Sequence, residues 1–320
     1  MNPDRIDTAC ARRCAHLAVQ LLALASLGGC MTLKHYAVNR LGDSLAGSGA
    51  ALASDDDPEL IRAAAPFSLK LMESLLEQSP QHAGLLTATA AGFTEYAYAF
   101  VQEDADELEA RDLESSLALH SRARALYARA RRYGMRALEA RHHGFEARLR
   151  ATRGGAAAEL NPSDSEAIYW TAAAWAAEIS LSKDSPGSIA ELPLVDALLG
   201  RLAALDADYD HGALDSMLMS WEAARPGRVF EEATVREHFE RAVRLSGGHK
   251  AGPYVALAET TCVRLQDRRG FETNLQRALA IDPAGAPQWQ LENRILQRRA
   301  RWLLTQTDQL FLDTPAGGSP

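Results

Sequence analysis

Little in this 320-residue chain is aromatic: Phe, Trp and Tyr together make up 7%. Segments rich in β-branched residues and flanked by turn residues are almost absent as well. That scarcity argues against sheets, whose strands are built from β-branched and aromatic residues. Cysteine is equally sparse. Of four, Cys10, Cys14 and Cys30 fall in the first thirty residues and Cys262 stands alone, so a single thiol downstream has no internal disulfide partner. Apolar runs of the eighteen or so residues needed to span a bilayer are missing after residue 30. Positive charge is not in excess either. Lys and Arg number 34 against 42 Asp and Glu, a net charge of −8, which excludes a general nucleic-acid binder because affinity for phosphate backbones comes from cationic surface.

What is present is Ala, Leu, Glu and Arg, in runs such as Ala172-Ala173-Ala174-Trp175-Ala176-Ala177. These are helix formers, and the fold class they predict is all-α. Asp55-Asp56-Asp57-Pro58-Glu59 reads as a helix start, with carboxylates at the cap and Pro at the first helical position. Ala64, Phe67, Leu71 and Leu75 share a face of the helix that follows. Pro66 is expected to kink or restart that helix, and Ser79-Pro80 to end it. A second helix carries Leu85, Leu86, Phe93, Ala97 and Phe100. Ser163 with Glu166 fits a capping box opening the helix that holds Tyr169, Trp170 and Trp175. Turns at Leu205-Asp206-Ala207-Asp208, Leu245-Ser246-Gly247-Gly248 and Ile281-Asp282-Pro283-Ala284 recur near the tetratricopeptide period of about 34 residues. Residues 105–155 fit that period poorly. The architecture expected is therefore a stack of antiparallel helical hairpins of irregular tetratricopeptide type, an α-α superhelix whose concave surface is free for a partner.

The first thirty residues read as an address label. Arg5, Arg12 and Arg13 precede a stretch from Cys14 to Gly29 without formal charge, carrying Leu17, Val19, Leu21, Leu22, Leu24 and Leu27. This is the anatomy of a signal peptide. It closes on Leu27-Gly28-Gly29-Cys30, which resembles the lipobox of bacterial lipoproteins. The organisation expected is a signal peptide over 1–29, a lipidated Cys30 with a tether over 30–35, one helical domain over 36–312, and a flexible tail over 313–320. Acyl chains would then be the membrane anchor, and Met31 in place of Asp points to the outer membrane. Cys262 reads as a small core residue.

Motifs that suggest catalysis lack their context. Gly42-Asp43-Ser44-Leu45 and Asp208 with His211 spell the two halves of a GDSL-type hydrolase, but Ala37–Leu41 ahead of the serine reads as helix and no β/α alternation follows. Asp55-Asp56-Asp57 lacks the spacing of a calcium loop. His142 and His143 are adjacent and point apart on a helix. Gly47-Ser48-Gly49 has no Lys for a phosphate loop. No catalytic residue, metal site or cofactor is expected. The candidate contacts for ligand or partner are Tyr169, Trp170 and Trp175, with Lys183 and Arg264 as possible receivers of a carboxylate. The three aromatics cannot share one helical face, so at least one should point away from its own hairpin, with Trp170 preferred.

Several stretches together resemble a known family: Ala37-Val38-Asn39-Arg40-Leu41, Pro66-Phe67-Ser68-Leu69-Lys70-Leu71-Met72-Glu73-Ser74-Leu75-Leu76, Tyr169-Trp170-Thr171-Ala172-Ala173-Ala174-Trp175, Ile189-Ala190-Glu191-Leu192-Pro193, Gly252-Pro253-Tyr254-Val255-Ala256-Leu257-Ala258-Glu259 and Arg298-Arg299-Ala300-Arg301-Trp302. With the lipobox they look like the TatT component family, the accessory lipoproteins of TRAP transporters, from about residue 36 to 312. The resemblance implies cryptic tetratricopeptide hairpins, a homotrimer with a central pore, and association with the periplasmic solute-binding protein of a sodium-coupled TRAP permease. It brings no catalytic residues. The function expected is a non-enzymatic, periplasm-facing lipoprotein that docks the binding protein and holds or passes ligand. The alternatives are a general scaffold lipoprotein for envelope assembly and, remotely, a hydrolase using Ser44.

Overall fold

A computed structural model describes residues 39–44, 47, 52–225 and 229–312; the segment expected to be a signal peptide (1–29), the expected lipidation site Cys30 with its tether, and residues 313–320 lie outside these. No strand occurs among the described residues, and the fold is all-α. After a helical segment over 39–44, the chain forms α1 (Pro58–Gln78), α2 (Ala83–Ala97), α3 (Glu103–Leu108), α4 (Leu113–Arg141), α5 (Phe145–Ala151), α6 (Ser165–Ser180), α7 (Pro186–Ile189), α8 (Leu192–Leu205), α9 (Tyr209–Ala224), α10 (Glu232–Leu245), α11 (Gly252–Ala256), α12 (Arg268–Ala280), α13 (Gln290–Thr305) and α14 (Thr307–Leu310). Two segments, Tyr98–Gln102 and Leu257–Cys262, are wound as π-helix.

Local chemistry sets the helix ends. The Asp57 carboxylate accepts from the backbone N–H groups of Glu59 and Leu60 at 3.0 and 3.1 Å, with Pro58 in the first turn. Two expectations need correction. Pro66 does not restart α1, which runs as one helix to Gln78; the ring lies exposed, where water serves the carbonyl that proline leaves without its amide. The capping box before α6 belongs to Asn161 and Asp164, not Ser163 and Glu166. Asp164 is fully buried and accepts from the Asn161 amide at 2.9 Å and the His142 ring at 2.8 Å. Burial works against its charge, but these partners and Arg141 hold the carboxyl below its ordinary value.

Neighbouring helices pair antiparallel. Leu69 meets Phe93 while Leu75 and Leu76 meet Leu85 and Leu86 across α1 and α2. Arg131 bonds Glu178, and Arg141 bonds Asp164, across α4 and α6. Gly134 lets those helices touch, since a Cβ there would lie 3.1 Å from the Thr171 Cα. The main core gathers Leu138, Phe145, Leu149, Ile168, Trp175, Val195 and Leu198 among others; each large apolar side chain so buried contributes about 1.5–3 kcal/mol. A second core unites α11 to α13 around Val255, Phe271 and Leu275, and Cys262 belongs to it, its thiol pushed by burial up to about 11.

The last long helix returns to the first. Ile295 of α13 packs with Ile61, Ala99 and Phe100. Arg298 donates to the Ala99 carbonyl at 2.7 Å and to Glu103 at 2.9 Å, and Arg299 bonds Asp106 at 2.8 Å and also Glu259. The row of hairpins is thereby closed into a ring. Glu103 is fully buried, and burial lifts its carboxyl to about 7 although Arg298 pulls the other way. Replacing Arg298 with Ala is expected to cost about 3 kcal/mol, the loss typical of breaking a buried pair from one side. Without the arginine Glu103 ionises only at still higher pH, so the loss should be larger at about pH 8.5 than at about pH 6. Denaturant unfolding of both proteins at the two pH values measures this.

Candidate functional site

Side chains from five segments converge inside this ring. Glu95 on α2 is the sole charged residue of that helix. Tyr169 and Trp170 come from α6, Tyr209, Asp210 and His211 from the start of α9, Lys250 from the turn before α11, and Trp289 and Glu292 from the start of α13. The Lys250 ammonium, 5% exposed, lies 3.4 Å from Asp210 and 3.9 Å from Glu292 and 5.0 Å from the centre of the Trp289 ring. The His211 ring meets Trp289 edge-on at 5.4 Å. Tyr169 packs on Tyr209 at 4.9 Å and on Trp170 at 5.0 Å.

Two devices hold this arrangement. The fully buried Asn293 accepts from the Ala251 amide and donates to the His249 carbonyl, both at 2.8 Å, so it grips the backbone on either side of Lys250. Asp210, His211 and Gly212 have φ of 41°, 53° and 89°, three successive residues in the left-handed region. Side chains at the first two positions carry strain, of order 1–3 kcal/mol each. Gly212 is required there because a Cβ would stand 2.8 Å from the Ala242 Cα. The strained turn aims both the carbonyl and the carboxylate of Asp210 at Lys250, the former at 3.3 Å.

The cluster lines an opening. Tyr98 is 37% exposed, the Glu292 side chain 42% exposed, and Glu95 is also reached by water. Yet burial is the leading influence on all three ionisations. We read the space between these exposed groups, carried by helices that the closure brings together, as a lumen. Burial, followed by the charges of Glu292 and Asp210, pushes Glu95 up to about 7. Burial likewise raises Glu292, with Lys250 opposing, and lifts the phenols of Tyr169 and Tyr209 well above their ordinary value. Among the described residues the Glu95 carboxylate has no hydrogen-bond or ion-pair partner, whereas those of Asp210 and Glu292 share Lys250. Two polar recesses elsewhere are lined by ion pairs, Arg268 with Glu272 and Asp308 in one, His82 with Asp43 in the other.

Of the residues singled out from sequence, the structure brings Tyr169 and Trp170 to this lumen and separates the other three. Trp175 is fully buried in the main core. Its indole N–H donates to Glu191 at 2.8 Å, and Arg131 and Arg150 lie over its ring at 5.0 and 5.5 Å. Lys183 is exposed on the turn between α6 and α7. Arg264 is committed to the end of α9, donating to the Ala223 carbonyl at 3.0 Å and covering Phe230 at 4.4 Å. Sequence reasoning missed Glu95, Asp210, Lys250, Trp289 and Glu292. A lone acid in an otherwise uncharged helix was the available signal for the first. The hydrolase-like residues are apart and otherwise engaged. Ser44 donates to the Arg40 carbonyl at 3.0 Å and Asp208 pairs with Arg241 at 2.6 Å. Among the described residues no group of three His, Cys, Asp or Glu has the geometry to hold a metal.

Residues 54–311 match the model of the TRAP transporter T-component family. The chain belongs to that family. An uncharacterized protein of Treponema pallidum (strain Nichols) is similar to this T-component, 31% identical over 313 residues that cover 94% of each chain. No described helix of the T-component is long and apolar enough to cross a membrane.

The Glu95 environment has a thermodynamic consequence. A carboxyl raised from 4.5 to about 7 on folding holds its proton more tightly in the folded state. Its contribution therefore favours folding below about pH 4.5 and is lost as pH climbs to about 7. Glu95→Gln removes that loss. The variant's melting temperature should match wild type near about pH 4.5 and exceed it by about 2 °C or less at pH 8, the wetting of the group limiting the gain. Thermal melts across the range test the sign.

Proposed function

We propose that this T-component is a non-enzymatic accessory of a TRAP-type uptake system, anchored by acyl chains at Cys30, facing the periplasm from the outer membrane. It docks the periplasmic solute-binding protein, and its ring holds or passes the solute. Family membership supports the transport role. The observation that carries the ligand-handling part is the lumen itself: aromatic faces, one ammonium and an unpaired carboxylate from five segments, kept in place by a strained turn and a buried asparagine. Convergent polar groups among aromatic walls are what small-molecule sites are made of. The engaged states of Ser44 and Asp208 favour this reading over hydrolysis. The binding protein and a homotrimeric state, in keeping with the family resemblance, complete the proposal.

The test is affinity capture from detergent-solubilised envelope, with mass spectrometry of co-purifying proteins and small molecules. The expected result is a TRAP solute-binding protein together with its solute. Trp170→Ala should reduce the co-purified solute while moving the melting temperature by no more than a few degrees, about 1 kcal/mol for a chain of this size. Capture of envelope-assembly proteins without any transport component would support the general scaffold instead. For the anchor, Cys30→Ala should abolish palmitate incorporation; equal labelling of variant and wild type would remove Cys30 as the lipidation site.

A further inference from the structure

We propose that the lumen takes a solute carrying a positively charged organic group, a protonated amine, guanidinium or quaternary ammonium, with Glu95 as its counter-charge and the rings of Tyr169 and Trp170 as its wall. This deepens the proposed function and rests on its reading of the lumen as a solute site.

The charge inventory points this way. Three carboxylates, those of Glu95, Asp210 and Glu292, face one ammonium. That ammonium is already spent: Lys250 is 5% exposed, lies against both Asp210 and Glu292, and sits over the Trp289 ring. An incoming carboxylate would find no free cation among these groups and would meet a surplus of negative charge. Glu95 is different. Among the described residues its carboxylate has no hydrogen-bond or ion-pair partner, it is exposed to water, and the charges that act on it are the like charges of Glu292 and Asp210. An unpaired acid that neighbours two other carboxylates gains from an arriving cation, because the guest relieves their mutual repulsion.

The wall is suited to the same guest. Tyr169 is within electrostatic reach of Glu95, and Trp170 stands edge-on to it at 5.0 Å, both half-buried. Aromatic faces attract organic cations, with Trp the strongest, by about 0.5–2 kcal/mol. The same pairing already exists in this lumen between Lys250 and Trp289. The cations available from sequence, Lys183 and Arg264, lie elsewhere and do not offset the surplus.

Binding of choline, agmatine and glutarate to the full-length, detergent-solubilised lipoprotein is measured by titration calorimetry and by tryptophan fluorescence. Wild type should bind choline or agmatine and not glutarate. Glu95→Gln should weaken the cation by about tenfold, which corresponds to about 1.4 kcal/mol, with an unchanged melting profile at pH 5. Glu95→Lys should lose the cation altogether. Should glutarate bind wild type, with Glu95→Gln equal or tighter, the charge assignment is overturned while the lumen stands as a solute site. Should none of the three bind, both the cation assignment and the ligand-handling role fall, and capture of the binding protein then decides docking alone.

Discussion

Arg298 and Arg299, neighbours on α13, carry the contact that turns a row of helical hairpins into a ring. Arg298 reaches the Ala99 carbonyl and Glu103, and Arg299 joins Asp106 to Glu259. Both π-wound segments take part: Ala99 lies in the first and Glu259 in the second. The Phe100 carbonyl of the first also receives Arg62 from α1 at 3.3 Å. Such insertions locally change the direction in which carbonyls and side chains project, and they occur often at functional sites. Here they face arginines. Without this closure Glu95 on α2 and Glu292 on α13 would belong to opposite ends of an open array, and no lumen would exist between them.

The closure is built from charges taken out of water, which is a poor route to stability for its own sake. Arg299 is 5% exposed and leaves its Nε and Nη1 without a hydrogen-bond partner, as does one oxygen of Glu103. Burial works against the charge of Arg299, and Glu259 and Asp106 outweigh it and raise the guanidinium. An apolar contact such as that of Ile295 with Ile61 would close a ring more cheaply in free-energy terms. What ion pairs add is direction: a guanidinium meets its carboxylates in a fixed geometry, which sets the register between the first and last hairpins. The lumen needs that register because its groups come from both.

Helix content and the cap at Asp57 were legible in the sequence, since helix-forming composition, apolar spacing and N-cap chemistry act over a few residues. The same local reasoning misread Pro66, where exposure removed the penalty for a lost amide, and shifted the capping box from Asn161 to Ser163, where both residues are capable caps and only the buried Asp164 decides. That at least one of Tyr169, Trp170 and Trp175 had to point away from its hairpin was legible, with Trp170 preferred; Trp175 was not separable from the other two until Glu191 and two arginines were seen around it. The lumen was illegible for a different reason. Glu103 and Arg298 are 195 positions apart, and Lys250 is placed by Asn293, so each depends on a contact that no local pattern encodes.

The net charge of −8 bears little on the charge balance inside the ring. Much of that charge is on the outside, where pairs such as Arg236 with Glu232 and Arg268 with Glu272 are exposed and salt screens them within about 8 Å. Inside the ring the charges come from several helices and lie close to one another, so screening between them is weaker. The raised ionisation of Glu95 is the measure of that difference: burial and two neighbouring acids move it to about 7, while Glu59 and Arg62 on the outer turn of α1 pair at 3.1 Å in contact with solvent. Under the solute-holding role we propose, selection resides in the few groups that closure brings face to face, and substitutions on the exterior should alter solubility before they alter which solute is held.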